Sequence, residues 1–241
     1  VLLSAFDSAG QRCSALRVLC VQDDIAERVI EMLKGGLKEL NIGRPHELDV
    51  DVGPVIDAEA QQRLLEYIER KRSVATKVTQ LEIPSDIDAN GTYVAPTILE
   101  LKNLGDLTQE VFGPVLHVVR FKAGELDQLI AHINEQNYAL THGIHSRIDG
   151  QIEYIASRIE AGNVYVNRNI VGAVVGVQPF GGHHQSGTGP KAGGPFYLQR
   201  MTTLNPWRLP LGSEVGQPNV DAQALASSLN ISSDESLAWQ A

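Results

Sequence analysis

A cysteine in a polar turn is the residue of this sequence best suited to covalent chemistry. Cys13 follows Gly10-Gln11-Arg12 and precedes an apolar run that begins at Ala15. A thiolate is the nucleophilic form of cysteine, and an adjacent guanidinium favours that form. The thiolate can attack a carbonyl carbon, and the backbone N–H of Cys13 can donate to the resulting oxyanion. Cys20 lies inside the apolar run, so we expect it to be buried and unreactive.

A carboxylate and an aromatic ring stand together ahead of another predicted strand. Glu110 and Phe112 precede Gly113-Pro114, which forces a turn before the strand at Val115–Phe121. Both side chains are therefore expected at the rim of a sheet. There a carboxylate can accept hydrogen bonds from ribose hydroxyls, and an aromatic can pack on a flat ring. Alternatively, neither residue binds a ligand: Glu110 is a solvated glutamate and Phe112 a core phenylalanine. Sequence spacing alone favours this alternative.

Residues 170–195 are rich in glycine, which points to a ligand-binding surface or to a close approach between backbones. Small residues let backbone N–H groups reach a ligand, and such groups bind carboxylates well. The same segment contains His183-His184. No set of cysteines or carboxylates accompanies these histidines, so we expect a surface loop and no metal site.

Strands and helices alternate along the chain. This order predicts an α/β fold with a mainly parallel sheet flanked by helices. We expect strands at Ala15–Gln22, Thr76–Glu82, Tyr93–Leu101, Val115–Phe121, Gly143–Ile148, Asn163–Arg168 and Phe196–Leu204. We expect helices at Asp24–Leu40, Ala58–Arg72, Leu126–Gln136 and Gln151–Ile159.

Composition limits the class of protein. The net charge is −9, with no basic run longer than Arg70-Lys71-Arg72, which argues against a nucleic-acid surface. No apolar stretch reaches the roughly 18–20 residues of a membrane span. Two cysteines do not make a disulfide framework, so a reducing cytoplasm is the expected location. Residue 1 is Val and a catalytic-looking cysteine follows closely, so we expect a piece of a longer protein.

Taken together, these segments resemble the aldehyde dehydrogenase superfamily. The likeness is closest to the dehydrogenase module of bifunctional proline-catabolic enzymes, and it extends from residue 1 to about 204. The segments that carry it are Phe6–Ala15, Glu110–Leu116, Tyr165–Asn169, Gly172–Gly182 and Ser186–Pro195.

The resemblance implies a role for each candidate residue. Cys13 falls on the nucleophile that attacks the aldehyde. Glu110 matches the residue that holds the nicotinamide ribose, with Phe112 near the ring, which makes NAD the expected cofactor. FAD would belong only to a proline dehydrogenase domain elsewhere in the parent protein.

The resemblance also implies a substrate, glutamate semialdehyde. Ser14, Gly172 and Ala173 match positions that anchor its carboxylate, the last two through backbone N–H groups. Phe180 matches an aromatic that packs on its aliphatic chain. The adjacent His183-His184 departs from the family pattern.

The expected domain organisation follows from the same resemblance. Residues 1–195 form the cysteine-bearing catalytic domain, 196–204 an oligomerisation strand, and 205–241 a tail or linker. An upstream NAD-binding domain, with a general-base glutamate and an oxyanion asparagine, is missing. A homo-oligomer is expected, and the fragment alone is expected to be inactive.

Two other functions stay open from the sequence. The chain could be an inert assembly module that self-associates through the strand at Phe196–Leu204, because an unpaired edge strand seeks a partner. It could also be a cysteine hydrolase of esters, using Cys13 with His183 or His184, since a cysteine followed by a distant histidine permits this.

Overall fold

The computed structural model of the chain describes residues 1–88, 91–174, 176–187 and 189–201. The strands in this part are β1 (Val18–Gln22), β2 (Lys77–Gln80), β3 (Thr97–Leu101), β4 (Val115–Phe121), β5 (Tyr138–Ala139), β6 (Thr141–Ile144), β7 (Asn163–Val166) and β8 (His183–His184). The helices are α1 (Leu2–Phe6), α2 (Asp23–Lys38), α3 (Ala58–Arg72), α4 (Ser85–Asp88), α5 (Leu126–Glu135), α6 (Asp149–Ala156) and α7 (Tyr197–Met201).

A four-stranded sheet in the order β1-β4-β3-β2 forms the centre of the fold. β1, β4 and β3 run parallel, while β2 is antiparallel to β3 at the edge. All five residues of β3 and the first five of β4 are buried. Since successive side chains of a strand point to opposite faces, both faces of these strands are covered. The predicted α/β fold with a mainly parallel sheet is confirmed.

Helix α2 follows β1 directly and packs its apolar stripe into the core. Its buried residues are Ala26, Ile30, Leu33 and Leu37, which recur at helical spacing. Asp23 and Asp24 occupy the first turn, where carboxylates interact favourably with the helix dipole. The helix continues through Gly35-Gly36, because its buried stripe supplies more stabilisation than two glycines remove.

Helix α3 has the predicted bounds. Asp57 caps its amino end, accepting a hydrogen bond from the backbone N–H of Ala60 at 2.7 Å. Its inner face buries Leu64, Tyr67 and Ile68 in the same core as α2. The helix thereby brings the Tyr67 hydroxyl to the central sheet.

Two small sheets contain the later strands. β6 and β7 pair in parallel, and β5 pairs antiparallel with β8. The strand predicted at Gly143–Ile148 is shorter and begins earlier, at Thr141, in register with Asn163 of β7. Among the described residues, no helix combines the length and apolar character needed to cross a bilayer.

The strand predicted over Phe196–Leu204 is wrong for the part that the structure describes. Residues Tyr197–Met201 form helix α7 instead, and the N–H of Tyr197 donates to the carbonyl of Gly194 at 3.2 Å. A strand depends on a neighbour for its hydrogen bonds, whereas a helical turn satisfies them locally. The remainder of that prediction, and the tail predicted over 205–241, lie outside the described residues.

Candidate active site around Cys13

Two loops that are far apart in sequence meet at one edge of the central sheet. The Cys13 turn leads into β1, and the Glu110–Gly113 loop leads into β4. β1 and β4 are parallel neighbours, with Val18 opposite His117. Loops that enter adjacent parallel strands lie at the same edge of the sheet. The fold therefore places the predicted nucleophile beside the predicted cofactor contacts.

A tight left-handed turn presents the thiol of Cys13. Ser8, Ala9 and Gly10 have positive φ values of 55°, 53° and 64°, and Cys13 lies exposed a few residues further on. A Cβ on Gly10 would lie 2.2 Å from the carbonyl oxygen of Gly113, so the two loops touch backbone to backbone. This contact leaves room only for glycine.

The other cysteine has a different environment. Cys20 of β1 is half-buried against the core and also lines a cavity next to Cys13, and desolvation raises the pKa of its thiol to about 12. A thiol with such a pKa is almost entirely protonated at neutral pH and is a poor nucleophile. Cys13 is thus exposed and Cys20 half-buried, which agrees with the expected difference in their reactivity.

The guanidinium that faces Cys13 is not the one that the sequence suggested. Arg12 donates to the Ser8 hydroxyl at 2.9 Å and pairs with Asp7 at 3.2 Å, on the outside of the turn. Arg17, the first residue before β1, is the cation whose charge interacts with Cys13 and with Glu110. Burial lowers the pKa of Arg17, and these two groups act in the opposite direction.

Sequence reasoning missed Arg17 as a residue of the site. One signal was available: it is the only charged residue between Ala15 and Gln22, a run otherwise apolar up to its last residue. A charged side chain in such a run is seldom buried unless it is paired. Here its guanidinium lies 3.8 Å from the Glu110 carboxylate and 4.6 Å from the centre of the Phe112 ring.

Glu110 and Phe112 lie at the rim, as predicted. The Glu110 side chain is 40% exposed and Phe112 is 47% exposed. Both are therefore accessible to a ligand from solvent while Arg17 supports them from the protein side. The exposure of Phe112 contradicts the alternative of a core phenylalanine, whereas the alternative of a solvated glutamate stays open for Glu110.

A buried histidine and tyrosine fix the backbone of Arg17. The carbonyl of Arg17 accepts hydrogen bonds from the backbone N–H of His117 at 2.9 Å and from its ring Nδ1–H at 2.8 Å. Because a carbonyl only accepts, Nδ1 carries the hydrogen, and Nε2 accepts from the Tyr67 hydroxyl at 2.9 Å. Burial lowers the pKa of His117 to about 4 and raises that of Tyr67 to about 12.

Two of the three predicted carboxylate anchors bond to each other. The buried hydroxyl of Ser14 accepts from the N–H of Gly172 at 2.8 Å, and Gly172 has a φ of 68°. Half-buried Ala173 follows in the same loop. The Tyr165 hydroxyl donates to the carbonyl of Gly172 at 3.0 Å and holds this loop against β7. The fold thus brings residues 14 and 172–173 together.

Phe180 belongs to a separate set of contacts. Its backbone forms an antiparallel bridge with Ala192, with N–O distances of 3.0 and 2.9 Å, and its side chain is half-buried. His184 bonds to Glu160 at 2.9 Å. Neither His183 nor His184 is among the described residues that line the cavity next to Cys13.

That cavity has a volume of about 640 Å³ and extends between β1 and β6. Cys13, Arg17 and Glu110 line it together with all five residues of β1. His142 lines it from β6, and burial lowers the pKa of that imidazole to about 4. Among its described lining residues, Glu110 is the one carboxylate.

The fold matches those of solved aldehyde dehydrogenase structures. Residues 1–205 match the aldehyde dehydrogenase family, and the chain belongs to that family. This confirms the resemblance found in the sequence.

Within this family, the chain is similar in sequence to enzymes of two named kinds. Over 210 residues the chain is 54% identical to the bifunctional protein PutA of Salmonella typhimurium, a match that covers 86% of this chain and 16% of that protein. It is 37% identical over 200 residues to the 1-pyrroline-5-carboxylate dehydrogenase of Geobacillus kaustophilus, covering 82% of this chain and 38% of that enzyme.

A solved structure agrees with these matches. A variant of proline utilization A from Bradyrhizobium japonicum superposes with a TM-score of 0.80 at 54% identity, over 84% of this chain and 20% of that one. The chain therefore spans about a sixth to two fifths of the length of the curated relatives named here.

Proposed function

We propose that this chain is the cysteine-bearing part of a longer NAD-dependent dehydrogenase that oxidises L-glutamate γ-semialdehyde to L-glutamate in proline catabolism. The observation that carries the proposal is the meeting of exposed Cys13 with the Glu110–Gly113 loop at one sheet edge, in a chain of the aldehyde dehydrogenase family. The relative in Geobacillus kaustophilus is a 1-pyrroline-5-carboxylate dehydrogenase, which supports the same substrate.

Cys13 is the proposed nucleophile. Its sulfur attacks the aldehyde carbon, the carbonyl π electrons move to oxygen, and a thiohemiacetal forms. A bound NAD would supply the acceptor for the hydride of this carbon. As the C–H bond breaks, the electron pair on oxygen re-forms the C=O bond and leaves a thioester on Cys13. Water then adds to the thioester carbon and the C–S bond breaks, which releases the carboxylic acid and the free thiol.

The residues present fit a nicotinamide cofactor. The accessible carboxylate of Glu110 can accept hydrogen bonds from vicinal ribose hydroxyls, and the exposed ring of Phe112 offers a flat apolar face. Arg17 stands behind both of them and limits their freedom. We therefore assign the ribose contact to Glu110 and the ring contact to Phe112.

The proposed carboxylate anchor is the Ser14 hydroxyl with the backbone N–H of Ala173, and Gly172 supports it by donating its own N–H to Ser14. A hydroxyl has one donor and two acceptor sites, so Ser14 can accept from Gly172 and still donate to a substrate carboxylate. Phe180 is proposed to pack on the aliphatic chain after the loop that carries it adjusts. A catalytic domain at 1–195 and a tail at 205–241 are part of the same proposal, and 196–204 is proposed as an oligomerisation segment that is helical at Tyr197–Met201.

Thioester hydrolysis needs a general base to activate water. In the described part of the cavity lining, the carboxylate is Glu110, which faces Arg17. We therefore propose that the base comes from a segment outside this chain, together with most of the NAD-binding domain. The chain alone then has no efficient turnover.

A substrate series on the full-length protein tests the proposal. Glutamate semialdehyde should reduce NAD with the highest kcat/KM. Glutarate semialdehyde, which keeps a carboxylate but lacks the amino group, should follow, and pentanal should be lower by at least about tenfold because it leaves the anchor unpaired. Equal kcat/KM for all three would refute the assigned substrate class.

The remaining expectations stay predictions. Cytoplasmic location and a homo-oligomer are proposed with the parent protein, and light scattering measures the second. An ester hydrolase using His183 or His184 has weaker support, since His184 is held by Glu160 and both histidines belong to β8. Ester hydrolysis by the chain, lost on His183→Gln or His184→Gln, would favour it.

A further inference from the structure

One guanidinium joins the two loops of the site. Nη1 of Arg17 donates to the carbonyl oxygen of Gly10 at 2.5 Å and approaches that of Gly113 at 3.5 Å. Nη2 donates to the carbonyl oxygen of Arg12 at 2.8 Å. Gly10 and Arg12 form the turn that presents Cys13, whereas Gly113 ends the other loop. Arg17 thus holds both loops by their backbones.

The same guanidinium also supports the side chains of the second loop. Its Nε lies 3.8 Å from Oε1 of Glu110, and its Cζ lies over the Phe112 ring, 4.6 Å from the ring centre. Nε is buried and makes no hydrogen bond to any described residue. Glu110 is the nearest carboxylate partner for that N–H, so a small inward movement of Glu110 would complete a bond.

We propose that Arg17 is a positioning residue, which locks the Cys13 turn and the Glu110–Gly113 loop into one unit. The thiol and the cofactor-side groups then keep a fixed relation to each other. This inference rests on the proposed function for its catalytic consequence, but the lock itself is a property of the free protein.

The planar fork of arginine is what this role requires. Arg17 sends N–H groups in several directions within one plane, and its face stacks on an aromatic ring. The single ammonium of a lysine would keep the charge but could not reach the carbonyls of Gly10, Arg12 and Gly113 while covering Phe112. If the charge alone mattered, lysine would replace arginine well.

An apolar replacement of Arg17 separates a role in stability from a role in positioning the two loops. Burying a guanidinium carries a desolvation cost, and an apolar residue of similar volume often stabilises a fold as well or better. Arg17→Met should therefore retain the fold while losing the lock. Arg17→Lys keeps the charge and serves as the second variant if methionine prevents folding.

The kinetic test uses the full-length protein with NAD and glutamate semialdehyde. Arg17→Lys should lower kcat by about tenfold or more, because at least one charge-assisted hydrogen bond is lost, and should raise KM for NAD at the same time. The matched control is Arg120→Lys in neighbouring β4, whose guanidinium pairs with Glu27 and Glu100. It should stay within about twofold of wild type in both constants.

Two kinetic results would overturn the proposal. The first is a kcat and a KM for Arg17→Lys that equal those of wild type. That result would show that a positive charge at this position is sufficient. The other is an equal loss in Arg17→Lys and Arg120→Lys, which would reduce the effect to general destabilisation.

Hydrogen exchange gives a readout that needs neither substrate nor cofactor. The amide of Ala15 bonds to Arg12, and that of Val115 bonds to Gly113, so peptides containing these residues report the two loops. In Arg17→Lys both peptides should exchange faster than in wild type, while α3 stays protected. Faster exchange in only one of the two peptides would refute the proposal that Arg17 joins the two loops. If the wild-type protein does not oxidise the aldehyde, the proposed function fails, and this measurement still decides the role of Arg17.

Discussion

Protonation of buried His117 should set part of the acid sensitivity of this fold. An unfolded histidine has a pKa near 6.5, and burial lowers that of His117 to about 4. The folded state therefore binds fewer protons than the unfolded state between these two pH values. The contribution of His117 to the free energy of unfolding is therefore fully present above about pH 6.5, and it is lost as the pH falls toward about 4.

The size of the effect follows from the two pKa values. Their difference of roughly 2.5, at about 1.4 kcal/mol for each pKa unit, gives about 3 kcal/mol of unfolding free energy. This is a large part of the about 5–15 kcal/mol that stabilises a typical domain. The cause is desolvation of the imidazole, between Tyr67 on α3 and the carbonyl of Arg17.

Urea unfolding of wild type and His117→Gln at about pH 7 and about pH 4 measures this quantity. The variant should lose stability at neutral pH, because the bonds to Arg17 and Tyr67 weaken, yet its pH dependence should be flatter than that of wild type by about 3 kcal/mol. Carboxylates titrate alike in both proteins, so their contribution cancels.

The matched control is His132→Gln on the exposed face of α5. It should keep the pH dependence of wild type. If His117→Gln and wild type lose stability in parallel between the two pH values, the imidazole does not titrate as its burial implies, and the argument fails.

Further predictions concern glycines and the carboxylate anchor. Gly10→Ala should destabilise the chain by at least about 2 kcal/mol in urea unfolding, since φ is positive and Gly113 blocks a Cβ. Gly35→Ala in α2, with open space around it, should stabilise by about 1 kcal/mol. Ser14→Ala should raise KM for glutamate semialdehyde about tenfold in the full-length protein, because its hydroxyl no longer donates to the carboxylate or accepts from Gly172. An unchanged KM would remove Ser14 from the anchor.

The elements that were predictable are those in which one local pattern dominates. The apolar stripe of α2, the Asp57 cap of α3 and the short apolar run at β1 each identify an element from neighbouring residues alone. Cys13 and Glu110 lie far apart in the sequence, and only the resemblance to the family predicted that they belong to one site.

The features that were missed depend on contacts between distant residues. Arg17 reaches Gly113, and His117 reaches both Arg17 and Tyr67, and nothing in the local sequence encodes these pairings. The error at Tyr197–Met201 has the same origin. Aromatic and branched residues favour a strand only beside a partner strand, and α7 satisfies its backbone locally.

The central claim is that Cys13 carries the acyl group. In the full-length protein with NAD and glutamate semialdehyde, Cys13→Ala should abolish NAD reduction and the thioester adduct seen by peptide mass spectrometry. Cys20→Ala, which removes the other cysteine of the chain, should keep both. Wild-type NAD reduction by Cys13→Ala, or an adduct on another residue, would contradict the account.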